Sequence, residues 1–334
     1  MSDASAPLPS LANRARAVAA DAAVVGVHFF GRVPVFVLGE EALLFAGENE
    51  VRRVAIHGGG ILVSACDGAR IVTGGDDGRL VATDANGDHE QIAADAKRRW
   101  IDQVALAPGG GLAWSAGKVA HVRTAKGEER ELEAPSTVAG LAFAPKGFRL
   151  AIAHYNGVTL WFANAQSEPE TLEWKGSHLA ARMSPDGRFV VTSMQESTLH
   201  GWRLADRKDM RMSGYSARVR SLDWTVGGKW LATSGSNQLI LWPFQAKDGP
   251  MGKTPRILAP AEAQVEVVAC HPKQEVVAVG YADGLVLLVR VDDGAEVLAR
   301  RPGDAPVTAL AWSATGNSLA FGTEDGDAGV IDLG

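Results

Sequence analysis

The segment His57-Gly58-Gly59-Gly60 has the makeup of an oxyanion cradle, in which consecutive glycine amides face a developing negative charge. That chemistry needs a nucleophile on a sharp turn from strand to helix. Trp114-Ser115-Ala116-Gly117 is the nearest match, but Ala113 precedes it where a glycine is required. Asp84, Asn86 and Asp88 have the alternate spacing of a calcium loop, and Asp95 stands at its twelfth position. His89, however, occupies the place of the obligatory glycine. Of the eight histidines no two stand three to five apart, so a metal site could arise only by convergence in space. Cys66 and Cys270 sit in apolar runs without ligand spacing and read as core thiols of a reducing compartment. No catalytic, cofactor or metal residue is assigned on these signals.

The elements that would have to position such groups follow a repeat. The stretch Ser184-Pro185-Asp186-Gly187 links an apolar strand to a Val- and Thr-rich one, and similar turns occur along the chain. Their closing positions are Gly31, Gly68, Gly110, Gly147, Gly187, Gly228, Gln274 and Gly316, in steps of 37, 42, 37, 40, 41, 46 and 42. A period near 40 filled with short strands is a propeller signature. Within a unit a second turn follows, such as Asp77-Gly78, Asn156-Gly157, Asp283-Gly284 or Asp325-Gly326, where Gly or Asn supplies the positive φ of a tight hairpin. A third strand and a more polar fourth one complete it, for example at 129–134, 170–174, 208–212 and 295–300. No sustained helical period is present. The reading is an all-β chain: a single β-propeller of four-stranded antiparallel blades, eight by this count with seven as the rival.

The units resemble WD40 repeats, and the chain resembles bacterial WD40-repeat proteins over nearly its whole length. Ser184-Pro185-Asp186-Gly187 matches that family's first turn, and Leu160-Trp161, Gly201-Trp202 and Leu241-Trp242 match its Trp-bearing strand. The Asp expected after the Trp is replaced by Phe162, Arg203 and Pro243, and no unit has the Gly-His pair. The resemblance therefore implies a propeller whose His, Ser/Thr, Asp and Trp hydrogen-bond network is incomplete in every blade.

The last unit stops after its third strand, at Asp332, while residues 13–19 alternate small and charged side chains at period two. The N-terminal strand is thus expected to close the last blade, as the resemblance also implies, and to cover its edge. Residues 1–10 read as a disordered tail and residues 11–334 as the propeller. The opening MSDASAPLPS has no basic segment before an apolar one, and the apolar stretch 22–38 is interrupted by His28, Arg32 and Pro34. The expectation is a cytoplasmic protein with no membrane role. Its Ala-, Gly-, Val-, Arg- and Asp-rich usage points to a bacterial source with a GC-rich genome.

A net charge of −6 without a long basic run argues against nucleic acid as the partner. Function on such a scaffold is expected in its loops, and the resemblance implies docking on the face of blade connections and second hairpin turns. The connections supply Lys97, Arg98, Arg99 and Trp100, then Trp174, Lys175 and His178, then Tyr215, Arg218 and Arg220. The hairpin turns supply Tyr155, Met194 and Tyr281, with Asp76, Asp77, Asp283, Glu324 and Asp325. Trp, Tyr and Arg are hot-spot types, and a rim basic on one side and acidic on the other suits a protein or peptide. The partner-binding set is Lys97, Arg98, Arg99, Trp100, Tyr155, Lys175, His178, Met194, Tyr215, Arg218 and Tyr281, on a non-enzymatic, monomeric scaffold without cofactors. The alternative is a propeller enzyme or small-ligand or metal sensor that uses polar groups in the central channel. Residues 245–256, a polar Gly/Pro-containing insertion, read as a mobile loop on the opposite face.

Overall fold

The computed structural model describes residues 8–334. Residues 1–7 of the expected tail lie outside the described residues, whereas Pro9 and Leu11 exchange backbone hydrogen bonds with Leu298. All strand pairs are antiparallel, and the strands form seven sheets. Sheets 1, 2 and 3 span residues 24–55, 61–94 and 103–133. Sheet 4 spans 140–212, sheets 5 and 6 span 222–258 and 265–300, and sheet 7 combines 307–332 with 15–19. No helix is long and apolar enough to cross a membrane.

Eight separate four-stranded blades are not formed, and the number of sheets is the rival seven. Sheet 4 is the reason: it has six strands and contains the two sequence units that turn at Gly147 and Gly187. Its extended run Arg149–Phe162 doubles back at Tyr155-Asn156, so that the amide of Ala163 reaches the carbonyl of Phe148 at 3.2 Å. The next run, Glu170–Met183, passes from one unit into the other through Gly176, whose φ of 124° suits glycine. The two halves of sheet 4 pack face to face through Leu160 and Leu172 against Val190 and Trp202. A pairing of Tyr155 with Ser177 joins these halves into one hydrogen-bonded sheet.

Each sheet packs its apolar face on the next. Val35, Val37 and Leu43 of sheet 1 meet Ile71 and Val81 of sheet 2, and the pattern continues until Ala320 and Ala328 of sheet 7 meet Val24, Phe36 and Leu44 of sheet 1. This closes the ring. The seam is made by Ala15–Ala19, which pairs with the last strand from Ala15 opposite Ile331 to Ala19 opposite Asp327. Val18 of that strand is buried in the seam core.

The innermost strand of each sheet has one edge without a strand partner, and its polar groups are served by the neighbouring sheet. Ser221 accepts from the Val268 amide at 3.1 Å, and Asp223 accepts from the Cys270 amide at 2.7 Å. The Trp312 indole donates to Ala269 at 3.0 Å, and the Thr308 hydroxyl reaches the Val24 carbonyl. Four innermost strands also shift register near their start, placing Val25, Leu62, Glu266 and Thr308 at bulges, and the run Glu170–Met183 does so at Leu179. A bulge re-aims a side chain. Val25, Glu266 and Thr308 line a 490 Å³ hollow with Arg220 and Glu324, in which Arg220 pairs with Glu266 at 3.4 Å.

The insertion 245–256 is fastened rather than free. Arg188, next to the Pro185-Asp186-Gly187 turn, donates to the carbonyls of Ala246 and Phe244 at 3.2 and 3.1 Å. Arg203 pairs with Asp248, Pro250 is buried, and Met251 packs on the cluster around Phe189 and Phe244. Two guanidiniums reaching across from sheet 4 were not visible in the loop's own composition.

Candidate functional site

Two loops of sheet 4 bring an aromatic ridge to the loop face. Tyr155-Asn156 is a two-residue hairpin turn with Asn156 at φ 68°, which a short amide side chain tolerates. The Tyr155 amide donates to the Ser136 hydroxyl at 2.8 Å, and Asn156 Oδ1 accepts from the Gly176 amide at 3.2 Å. The second hydrogen bond ties the Tyr155 turn to the Trp174-Lys175-Gly176 connection. Tyr155 is 53 % and Trp174 is 36 % exposed, well above what a core aromatic shows.

Two buried histidines seat Trp174. His178 donates from Nε2 to the Trp174 carbonyl at 3.0 Å, and its Nδ1 lies 2.7 Å from Thr192 Oγ1. The His200 ring stacks under the indole with centroids 4.0 Å apart, and its two nitrogens have no hydrogen-bond partner. Burial lowers the His200 pKa to about 3, helped by the nearby His178 and Arg211, so the ring is neutral. With its inner face occupied, Trp174 presents the other side to solvent.

The ridge separates two hollows. One of 740 Å³ is lined by Pro135, Ser136, Tyr155, Glu173 and Trp174. The other, of 390 Å³, is lined by Trp174, Lys175, Met194, Glu196 and Arg211. Farther round the same face Trp100 is 62 % exposed, beside Lys97 and the positive-φ residue Arg98. Arg99 is already committed, since it grips Asp95 at 2.6 Å. That hydrogen bonding holds the Asp95 carboxyl down at about 2.

The expected partner-binding residues divide accordingly. Tyr155 and Lys175 come together at the ridge, and Met194 joins them as a buried wall rather than a surface contact. Lys97, Arg98 and Trp100 are exposed on the same face, and Arg218 is exposed with a bond to Gln195 at 3.1 Å. His178 and Tyr281 are corrections. His178 is buried beneath Trp174, and Tyr281 is buried with its hydroxyl donating to the Ala259 carbonyl at 2.6 Å. Tyr215 is half-buried in a structural chain: the Trp242 indole donates to its hydroxyl at 2.7 Å, which sits 2.9 Å from Thr233 Oγ1. Burial raises its pKa, keeping the phenol protonated. Sequence reasoning missed His200, Ser136, Glu196 and Arg211 as ridge neighbours.

Parts of the hydrogen-bond network expected to be incomplete in every blade are present. Tyr215, Thr233 and Trp242 make one such chain, with Tyr in place of His. In sheet 2, His57 Nε2 lies 2.9 Å from Thr73 Oγ1, while Nδ1 lies 3.1 Å from Asp77. His57 is therefore a loop fastener, and Asp77 also accepts from the Gly58 amide at 3.0 Å. Ser115, the other half of the hydrolase-like pattern, is buried and lies 3.4 Å from Asp102. Asp84 Oδ1 accepts from the amides of Asn86 and Asp88, which makes its loop an ordinary Asx turn. Among the described residues no group of three or more His, Cys, Asp and Glu is placed to hold a metal ion.

Comparison with known proteins agrees with this architecture. Residues 268–334 match the family model of the anaphase-promoting complex subunit 4 WD40 domain, and residues 208–243 match that of the WD domain, G-beta repeat. WD repeat-containing protein 55 of Rattus norvegicus is 27 % identical over 207 residues, covering 60 % of this chain and 52 % of the relative. Cell division cycle 20.1, cofactor of APC complex, of Arabidopsis thaliana is 34 % identical over 97 residues, covering 28 % of this chain and 21 % of the relative. The chain thus spans about half the length of the first relative and less of the second. Among solved structures, the computationally designed Ika8 protein superposes with a TM-score of 0.77 at 17 % identity, covering 93 % of this chain and 96 % of its own. The RRP9 WD40 repeats give 0.63 at 16 % identity, with 86 % and 98 % covered. Residues 208–243 and 268–334 thus match WD40-type models, and the chain folds as a β-propeller.

Proposed function

We propose that this WD40-type propeller is a non-catalytic scaffold that binds a protein or peptide partner across its loop face, anchored on Tyr155 and Trp174. The observation that carries the reading is the preseated, half-exposed Trp174 between two hollows. An aromatic already held by its neighbours loses little freedom on binding and buries a large area, which is what makes a hot spot. Lys175 and Arg211 together with Glu173 and Glu196 give the hollows beside the ridge both signs of charge, suited to polypeptide rather than to a polyanion. Two similar proteins are by name a subunit and a cofactor of a larger complex, which supports an assembly role.

The test is affinity capture from native extract with the wild type and with Tyr155→Ala and Trp174→Ala variants whose unfolding midpoints are measured alongside. A protein retained by the wild type and lost from both folded variants supports the reading. Equal retention by all three refutes the assignment of the ridge.

A further inference from the structure

On the face opposite the ridge, at the seam between sheets 7 and 1, a 350 Å³ hollow gathers Arg14, Arg16 and Arg32, together with Glu48, Asn317 and Asp332. Arg14 and Arg16 belong to the closing N-terminal segment, and Arg32 lies in the turn between the first two strands of sheet 1. Arg16 donates to the Ala46 carbonyl at 2.8 Å. Among the described residues neither Arg14 nor Arg32 has a carboxylate within 4.0 Å, although Glu48 and Asp332 line the same hollow. Asp332 is turned to the backbone, its Oδ1 accepting from the Gly334 amide at 3.1 Å.

We propose that this seam hollow binds a multivalent oxyanion of the phosphate class. A guanidinium presents a planar fork of donors matched to phosphate and carboxylate oxygens. Three forks arriving from two sheets fit an ion with several oxygens facing different ways, such as pyrophosphate, because a small monoanion would serve one fork and leave the others. Glu48, Asp332 and the carboxylate of Gly334, which also lines the hollow, oppose binding, so preference over chloride comes from the number and directions of the guanidinium donors rather than from net charge. An ion held by Arg14 and Arg32 together would bridge the closing strand to sheet 1, and ligand binding would therefore strengthen the ring at its seam.

The experiment is thermal unfolding of the full chain during titration with pyrophosphate, against sodium chloride of matched ionic strength. The expected result is a saturable rise in midpoint beyond the chloride control. Arg14→Ala and Arg32→Ala, both at exposed positions, should each weaken the apparent affinity roughly tenfold, and Glu48→Gln should tighten it. A midpoint that follows ionic strength alone overturns the proposal. So does a pyrophosphate response unchanged in both arginine variants. Neither outcome bears on the Tyr155 and Trp174 ridge, which lies on the other face.

Discussion

Removing one oxygen tests the hydrogen-bond chain that replaces the family network in sheet 5. An indole N–H can only donate, so Trp242 donates to Tyr215 at 2.7 Å. Thr233 gives its proton to the Ile240 carbonyl at 3.0 Å and so accepts from Tyr215 at 2.9 Å. Tyr215→Phe keeps the ring and deletes the relay. The Trp242 side chain belongs to a residue only 6 % exposed, so its donor is orphaned at a cost of about 1–3 kcal/mol, and the lost bond to Thr233 adds about 1 kcal/mol. The expected destabilisation is therefore about 2–4 kcal/mol, read by urea unfolding followed by circular dichroism. In a Trp242→Phe background the donor is already gone, and Tyr215→Phe should cost only about 1 kcal/mol. The two substitutions should thus couple by about 1–3 kcal/mol in a double-mutant cycle. Costs that simply add would refute the relay and reduce Tyr215 to a packing residue.

Three further outcomes are expected. His28, His57, His178 and His200 are all pulled below their usual value, chiefly by burial, His28 to about 4 and His200 to about 3. Their neutral forms stabilise the fold fully above the unfolded value near 6.5, and that stability is lost as pH falls toward the folded values. The unfolding midpoint should drop between pH 7 and 5, and His28→Gln combined with His200→Gln should flatten the slope; a pH-independent midpoint contradicts the assignment. Deleting residues 1–20 removes the strand opposite Asp327–Asp332 and the buried Val18, so the whole ring should melt at a lower temperature. An unchanged melt would mean that the seam carries no stability. Arg188→Ala should free residues 245–256 and speed tryptic cleavage at Lys247 and Lys253 several-fold, since local opening controls proteolysis; unchanged cleavage would show that Arg203 holds the loop alone.

The strands, their turns and the closing segment were legible because a period-two pattern and Pro/Gly turn chemistry are local properties. Eight turn positions connect first to second strands as expected, including Gln274, where glycine is missing. The sheet number was not legible, because the junction at Gly176 leaves no trace in composition that separates a break from a continuous pairing. Side-chain direction was the other blind point. Tyr281 and Met194 stand at ends of strands where a one-residue change of phase decides between solvent and the neighbouring sheet. The seating of Trp174 by His200 escaped notice for a related reason: the two lie on different strands, and sequence spacing says nothing of a stack formed across a sheet.

The closing strand also has a consequence for how the molecule comes into being. Ala15–Ala19 leaves the ribosome long before Ile331, the partner of Ala15, is made. While the intervening sheets are made that strand has no mate, and its eventual mate arrives only after every one of them can already have formed. Such distant pairing is slow because loop closure must precede any reward from contact. Ring completion is therefore expected to be the last step of propeller folding, with the open crescent before it as the species most exposed to mispairing with another nascent chain.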